Sequence, residues 1–174
     1  MHAGQKRFLE QRYGASEWYG RSRHGRRVLK GFSFAGSEIR GWTLERVRRD
    51  EREQPPAIRS LWRHGESTNE LLAVDAFECG SVKAAHDQLI EALGNIESAA
   101  VERRTGKNAV GDVAFGLGDT MVLFARANLV VLIRNAGPAV VLVGAVAREI
   151  DTLLVRRLQS ERPRRPSTGF HAAR

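Results

Sequence analysis

The sequence predicts an α+β fold: an antiparallel sheet with two amphipathic helices packed on one face, and flexible basic arms at the N- and C-termini. Three observations lead there. The hydrophobic period changes along the chain between two residues and about 3.6. The order of strands followed by an amphipathic helix occurs twice, in 57–96 and in 110–158. Gly- and Pro-containing turns separate the periodic segments, as they do in a meander of short strands. With 174 residues, 42% of them apolar, the chain is long enough to bury one core.

Each element follows from its own residues. Residues 1–27 mix Gly, Ser and Arg with Tyr13, Trp18 and Tyr19 and show no apolar periodicity, so they read as a basic flexible arm with a helical turn or two in 6–13. A single domain then covers 28–158. Its first stretch, 28–36, has strand-like residues interrupted by glycine. In 41–51, Trp42, Leu44 and Arg46 alternate with Thr43, Glu45 and Val47, the pattern of a strand with one wet face. Pro55-Pro56 breaks the chain before 57–65. In 70–80, Leu72, Val74 and Ala76 alternate with Ala73, Asp75 and Phe77 as a further strand.

Ser81 is the expected N-cap of a helix whose apolar stripe is Val82, Ala85, Leu89, Leu93 and Ile96 and whose end falls near Gly94-Asn95. Residues 97–112 are polar and loop-like, and 110–116 is a short strand. The β-branched and aromatic run 120–137 reads as a hairpin with a tight turn at Ala127-Asn128, where Asn tolerates positive φ; one long bulged strand is the alternative. Pro138 suits the first turn of a second helix, striped by Val143, Val146, Ala147, Ile150, Leu153, Leu154 and Leu158. Residues 159–174, with Pro163 and Pro166 among Arg, Ser and Thr, read as a disordered basic tail.

Two stretches carry a resemblance. FARANLVVLI (124–133) and AREIDTLL (147–154) resemble the strand–strand–helix half of a group of uncharacterised bacterial α+β proteins, with the patterns F-x-R-x-N-x-V-V-x-I and A-x-x-I-D-x-L-L. VDAFECGSVKAAHDQLIEAL (74–93) is similar to their preceding strand and helix. The shared residues form cores and specify packing, so the resemblance implies no activity.

Charge is distributed unevenly. The formal net charge is +8, but residues 1–30 carry +6 and 156–174 carry +5, leaving −3 on 31–155. A mildly acidic body therefore bears two basic appendages. Arginine outnumbers lysine 24 to 4, and its planar fork suits phosphate and carboxylate. In the N-terminal arm Arg21, Arg23, Arg26 and Arg27 stand close to Trp18 and Tyr19, a composition able to neutralise phosphates and stack on bases, or to dock on an acidic protein surface.

Several chemistries find no support. One cysteine, Cys79, excludes a disulfide framework and a multi-Cys zinc site, and no His pair stands at ligand spacing, so neither a metal nor a cofactor is expected. The run GDVAFGLGD (111–119) lacks the Lys-Ser/Thr of a phosphate loop and does not open a helix, and reads as a hairpin connection. Neither Asp75 with Glu78 nor Glu149 with Asp151 converges by local geometry. The residues left to line a pocket between sheet and helix are Trp42, Trp62, His64, Cys79 and His86; there Cys79, just before a helix N-terminus, would have a lowered pKa, and His86 would need Asp75 or Glu78 as a partner. No run of about 18 apolar residues spans a membrane, and the first residues lack a secretory core, so a cytoplasmic location is expected. A non-enzymatic interaction protein is the leading expectation. It would act on a protein partner or on itself as a homodimer, with the hydrophobic hairpin offering an edge or face. A nucleic-acid-associated protein using the arms, and a small-molecule binder or enzyme using the pocket, are the alternatives.

Overall fold

The computed structural model describes residues 2–25, 27–36, 38–96 and 98–160. Two helices come first, α1 (Ala3–Arg12) and the single turn α2 (Ala15–Trp18). Strands β1 (Trp42–Asp50), β2 (Ala57–His64) and β3 (Leu71–Glu78) lead into α3 (Val82–Gly94). Strands β4 (Glu102–Arg103), β5 (Val113–Leu117), β6 (Met121–Arg126) and β7 (Leu129–Asn135) lead into α4 (Gly144–Ser160). All seven strands join one antiparallel sheet in the order β1-β2-β3-β7-β6-β5-β4. The α+β class and the antiparallel sheet are as the sequence predicts, and Ser81 caps α3 by accepting from the Ala84 amide at 3.1 Å.

The helices do not share a face. Ala85, Leu89, Ile90 and Leu93 of α3 pack with Leu123, Ala125 and Val130, whereas Val146, Ala147, Ile150 and Leu154 of α4 pack with Val122, Phe124, Val131 and Ile133. Adjacent residues of one strand point to opposite sides, so the two helices lie on opposite faces. The reason is legible in β6 and β7: they are apolar at consecutive positions, and such strands need a covering layer on each side. This hairpin is also central in the sheet, not at an edge, and its turn and most of its strand residues are buried. It therefore offers no edge for self-association.

The expected flexible N-terminal arm is instead a layer of the fold. Leu9, Tyr13 and Trp18 are buried on the α3 face, with Tyr13 edge-on to Phe115 at 5.1 Å and Trp18 edge-on to the same ring at 6.0 Å. The chain then rounds the end of the sheet at Asn128. That side chain accepts from the Leu29 amide (2.6 Å) and donates to the carbonyls of Leu29 (2.9 Å) and Cys79 (2.8 Å). Beyond it, 28–36 is not a strand. Leu29, Phe32, Phe34 and Ile39 roof the α4 face over β1 and β2, Phe34 edge-on to Trp62 at 5.5 Å.

Two turns differ in detail from expectation. At the β6–β7 turn Ala127, at φ 51°, takes the left-handed backbone rather than Asn128, which frees the Asn128 side chain for its three hydrogen bonds. The second long helix begins at Gly144, not at Pro138, because Asn135 holds Val141 in a loop by accepting from its amide at 2.7 Å and donating to its carbonyl at 3.0 Å. Helix α4 continues to Ser160, so the expected tail starts no earlier than 161, and 161–174 lie outside the described residues. Among the described residues no helix is long and apolar enough to cross a membrane.

Candidate functional site

The five residues expected to line one pocket are dispersed. Trp62 lies in the α4-side core, its indole N–H donating to Ser60 Oγ at 2.8 Å. Trp42 packs beside His64, ring centroids 4.9 Å apart, and the exposed His64 meets Glu70 at 2.5 Å. Cys79 follows the far end of β3, nine residues beyond Glu70, about 30 Å away at ~3.3 Å per extended residue. No Cys79–His64 dyad exists.

Cys79 is not activated by the helix end. Burial, with the Asp87 and Glu78 carboxylates nearby, pushes its thiol up to about 12, which reverses the lowered pKa expected beside a helix N-terminus. His86 does not meet Asp75 or Glu78 either. Asp75 accepts from Arg134 at 3.1 Å, and Glu78 accepts from Gly31 N, Phe32 N and Arg49. Instead His86 is fully buried against Trp18 and Tyr19. Gly20 N–H donates to its Nδ1 at 2.8 Å, so the ring proton sits on Nε2, which has no partner among the described residues. Burial lowers its pKa against the pull of Asp112 and Asp87.

The arm residues also take up structural posts. The Trp18 indole donates to Tyr13 O at 3.0 Å. The Tyr19 hydroxyl and the Lys6 and Lys83 ammonium groups all donate to Asp87. Trp18 is buried, and Tyr19 is half-buried with Lys6 and Lys83 near its ring. Arg21, Arg23 and Arg27 remain exposed at their side chains, while the Arg23 amide donates to Asp112; Arg26 lies outside the described residues.

One polar network was not anticipated as a unit. Arg126 donates through Nε and Nη2 to the two Asp151 oxygens, both at 2.7 Å, and through Nη1 to Asp112 at 2.9 Å; Asp112 also accepts the Ala127 amide at 2.8 Å. The three side chains are 15% exposed or less. They fasten α4 to the end of β6 and to the loop before β5. Arg126 and Asp151 are polar letters of the F-x-R-x-N and I-D patterns, which was the signal for their pairing; Asp112 lies outside both. No group of His, Cys, Asp and Glu among the described residues is arranged to hold a metal.

The α3 face is covered only in part. Helix α3 lies over β6 and β7, with α1 beside it, and on that face the part of β1–β3 beyond the buried Ala57–Phe77 end stays open. Two cross-strand rows define the opening: Arg46, Leu61, Ala73 and Arg134, and Arg48, Arg59, Asp75 and Leu132. Arg46, Arg48, Arg59 and Arg134 are exposed and Leu61 and Ala73 half-buried. Ion pairs to Asp50, Glu53 and Asp75 engage Arg48, Arg59 and Arg134, and Arg63 at the rim pairs with Glu45. The alternation in the sequence groups Arg46 with Trp42 and Leu44, but the register shift between Leu44 and Arg46 turns Arg46, beside Arg48, to this face. Its open state depends on where the helices fall. Compared with protein-family models, with curated proteins and with solved structures, the chain matches none.

Proposed function

We propose that this chain is a non-enzymatic interaction protein that receives a protein partner on the open α3 face of β1–β3. The observation that carries the reading is that face: four exposed arginines around Leu61 and Ala73, beside a sheet whose other strands are covered. Arginine is enriched and lysine depleted at protein interfaces, where its apolar stem packs while its fork pairs with carboxylate. The Arg48–Asp50 and Arg59–Glu53 pairs are largely exposed and worth little individually, so a partner's acids can replace them, while the buried Asp75 keeps Arg134. The candidate nucleophile and bases support the non-enzymatic part: Cys79 is a buried thiol, His86 is a buried neutral ring bound to a backbone amide, and His64 lies at the opposite end of the sheet. A cytoplasmic setting goes with this reading.

The first occupant to test is a second copy. In sedimentation at micromolar concentration, a homodimer runs at twice 19.4 kDa, and Leu61→Glu is expected to return it to monomer without lowering its thermal midpoint. A wild-type chain that stays monomeric at every concentration overturns the homodimer and leaves a different protein as partner, with Leu61→Glu as the negative control in co-purification. Nucleic-acid binding through the N-terminal segment is the second reading, favoured by the +6 carried by residues 1–30. It predicts RNA or duplex DNA binding that falls steeply between about 50 and 200 mM salt and is lost when Arg21, Arg23 and Arg27 are replaced by Gln.

A further inference from the structure

We propose that the groove between α4 and the loop 38–41 is a binding site for a small ligand carrying two separated anionic groups of the phosphate or carboxylate class. It lies on the α4 side of the sheet and does not depend on the interaction face opposite. The groove has a volume of about 720 Å³, within the range of about 300–1,000 Å³ common for ligand sites. Arg40 stands on one wall, Arg148, Thr152 and Arg156 on the other, and Leu153 is at the floor.

Charge is what distinguishes this cavity. Positions 148, 152 and 156 form one stripe of α4 at four-residue steps, which places the two arginine Cα atoms about 12 Å apart along the helix axis. None of the Arg40, Arg148 and Arg156 guanidinium groups donates a hydrogen bond or forms an ion pair among the described residues, whereas most other arginines of the sheet and loops have a carboxylate partner. The two carboxylates in the wall are already engaged. Glu38 accepts from Arg157 and from the Ala35 amide, and Glu149 accepts from the Arg40 amide at 2.7 Å.

Those same contacts build the groove. They tie the loop to α4, and Arg157 also lies over the Phe32 ring at 5.0 Å, so the wall that carries Arg40 is fixed before a ligand arrives. Preformed walls reduce the ordering cost of binding. Three arginines without a carboxylate partner among the described residues line one concavity and can match anionic oxygens at two points, since guanidinium binds phosphate and carboxylate in bidentate fashion. The spacing of Arg148 and Arg156 selects a ligand with its anionic groups at opposite ends, and Leu153 gives its middle an apolar surface.

Isothermal titration of the full chain tests this with 1,6-hexanediol bisphosphate, suberate and inorganic phosphate. The bisphosphate or the dicarboxylate is expected to bind at least ten-fold more tightly than inorganic phosphate. Each of Arg40→Gln, Arg148→Gln and Arg156→Gln is expected to weaken it about ten-fold, as loss of one charged hydrogen-bonding group does. These residues are exposed, so the variants should keep the wild-type circular dichroism and thermal midpoint, and Arg46→Gln on the opposite face should bind as wild type. Preference between bisphosphate and suberate decides which oxyanion the site takes. The proposal is overturned if no probe binds at millimolar concentration, if inorganic phosphate binds as tightly as the bis-anions, if the three variants leave affinity unchanged, or if Arg46→Gln weakens it equally. Duplex DNA binding lost in the same three variants, with no bis-anion binding, overturns it in favour of a phosphate-backbone contact.

Discussion

Arg126 is charged and only 6% exposed at its side chain, which is tolerable because every face of its guanidinium meets a carboxylate. Removing it leaves Asp112 and Asp151 buried without a counter-charge, so Arg126→Ala is expected to cost about 3–5 kcal/mol in urea unfolding, as breaking a buried pair does. Arg126→Lys should recover only part of this, since an ammonium cannot make the bidentate contact to Asp151 and reach Asp112 together. A loss below about 1 kcal/mol, the worth of a surface pair, would show that this network does not hold α4. Asp87 gives a second prediction. Burial raises its pKa, but hydrogen bonds from Lys6, Tyr19 and Lys83 outweigh this and bring it from 3.8 to about 2. A carboxyl with a depressed folded-state pKa contributes stability above its unfolded pKa and loses it as pH falls toward the folded value. The stability difference between wild type and Asp87→Asn is therefore expected to shrink between pH 4 and pH 2, followed by denaturant midpoints. His86 acts at higher pH in the same direction: its folded pKa is lowered from 6.5, so acidification below that value favours the unfolded chain, and protonating Nδ1 removes the acceptor for Gly20 N–H.

Helix α1 has no strong amphipathic pattern and α2 is a single turn, so neither is stable alone. Their order comes from Leu9, Tyr13 and Trp18 entering a hydrophobic surface supplied by α3 and Phe115. Burying three such side chains is worth about 5–9 kcal/mol, offset in large part by the entropy of ordering the segment. Deleting residues 1–20 is expected to lower the thermal midpoint and to raise binding of an apolar dye, because Leu89, Leu93 and Phe115 lose their cover. An arm detached from the body would leave both measurements unchanged. The edge elements are shaped by a different constraint. Strand β1 carries Arg46, Arg48 and Arg49 and a register shift between Leu44 and Arg46, and β4 has two residues; both features blunt edge-to-edge pairing.

At the scale of the molecule, the sheet divides into a half enclosed on both faces and a half enclosed on one. Strands β5, β6 and β7 lie between α3 and α4, while β1 and β2 have a roof from residues 29–39 and an open opposite face. The proposed association uses the α3 face of β1–β3 rather than an edge. The groove along α4 lies across the sheet from it. Leu61→Glu in sedimentation and Arg148→Gln in titration thus report on sites with no shared residue, and each variant is expected to leave the other property unchanged.

Local pattern by itself determined much of this protein. Alternation at Leu72, Val74 and Ala76 marked β3, the Ser81 cap and the Ala85–Leu89–Leu93 stripe marked α3, and the run 120–137 marked extended chain with a turn or bulge at Ala127-Asn128, because each depends on neighbours a few residues away. The pairs that join distant segments were decided only in the tertiary structure. Which face each helix takes, the docking of Trp18 on Phe115, the meeting of Arg126 with Asp151, and the convergence of Arg40 with Arg148 and Arg156 all involve partners far apart in the chain. The pocket residues failed for the same reason: composition shows that His64 and Cys79 exist, but only strand register places them at opposite ends of one sheet. Periodicity specifies which side of an element is apolar, and the three-dimensional packing of those sides determines what stands next to what.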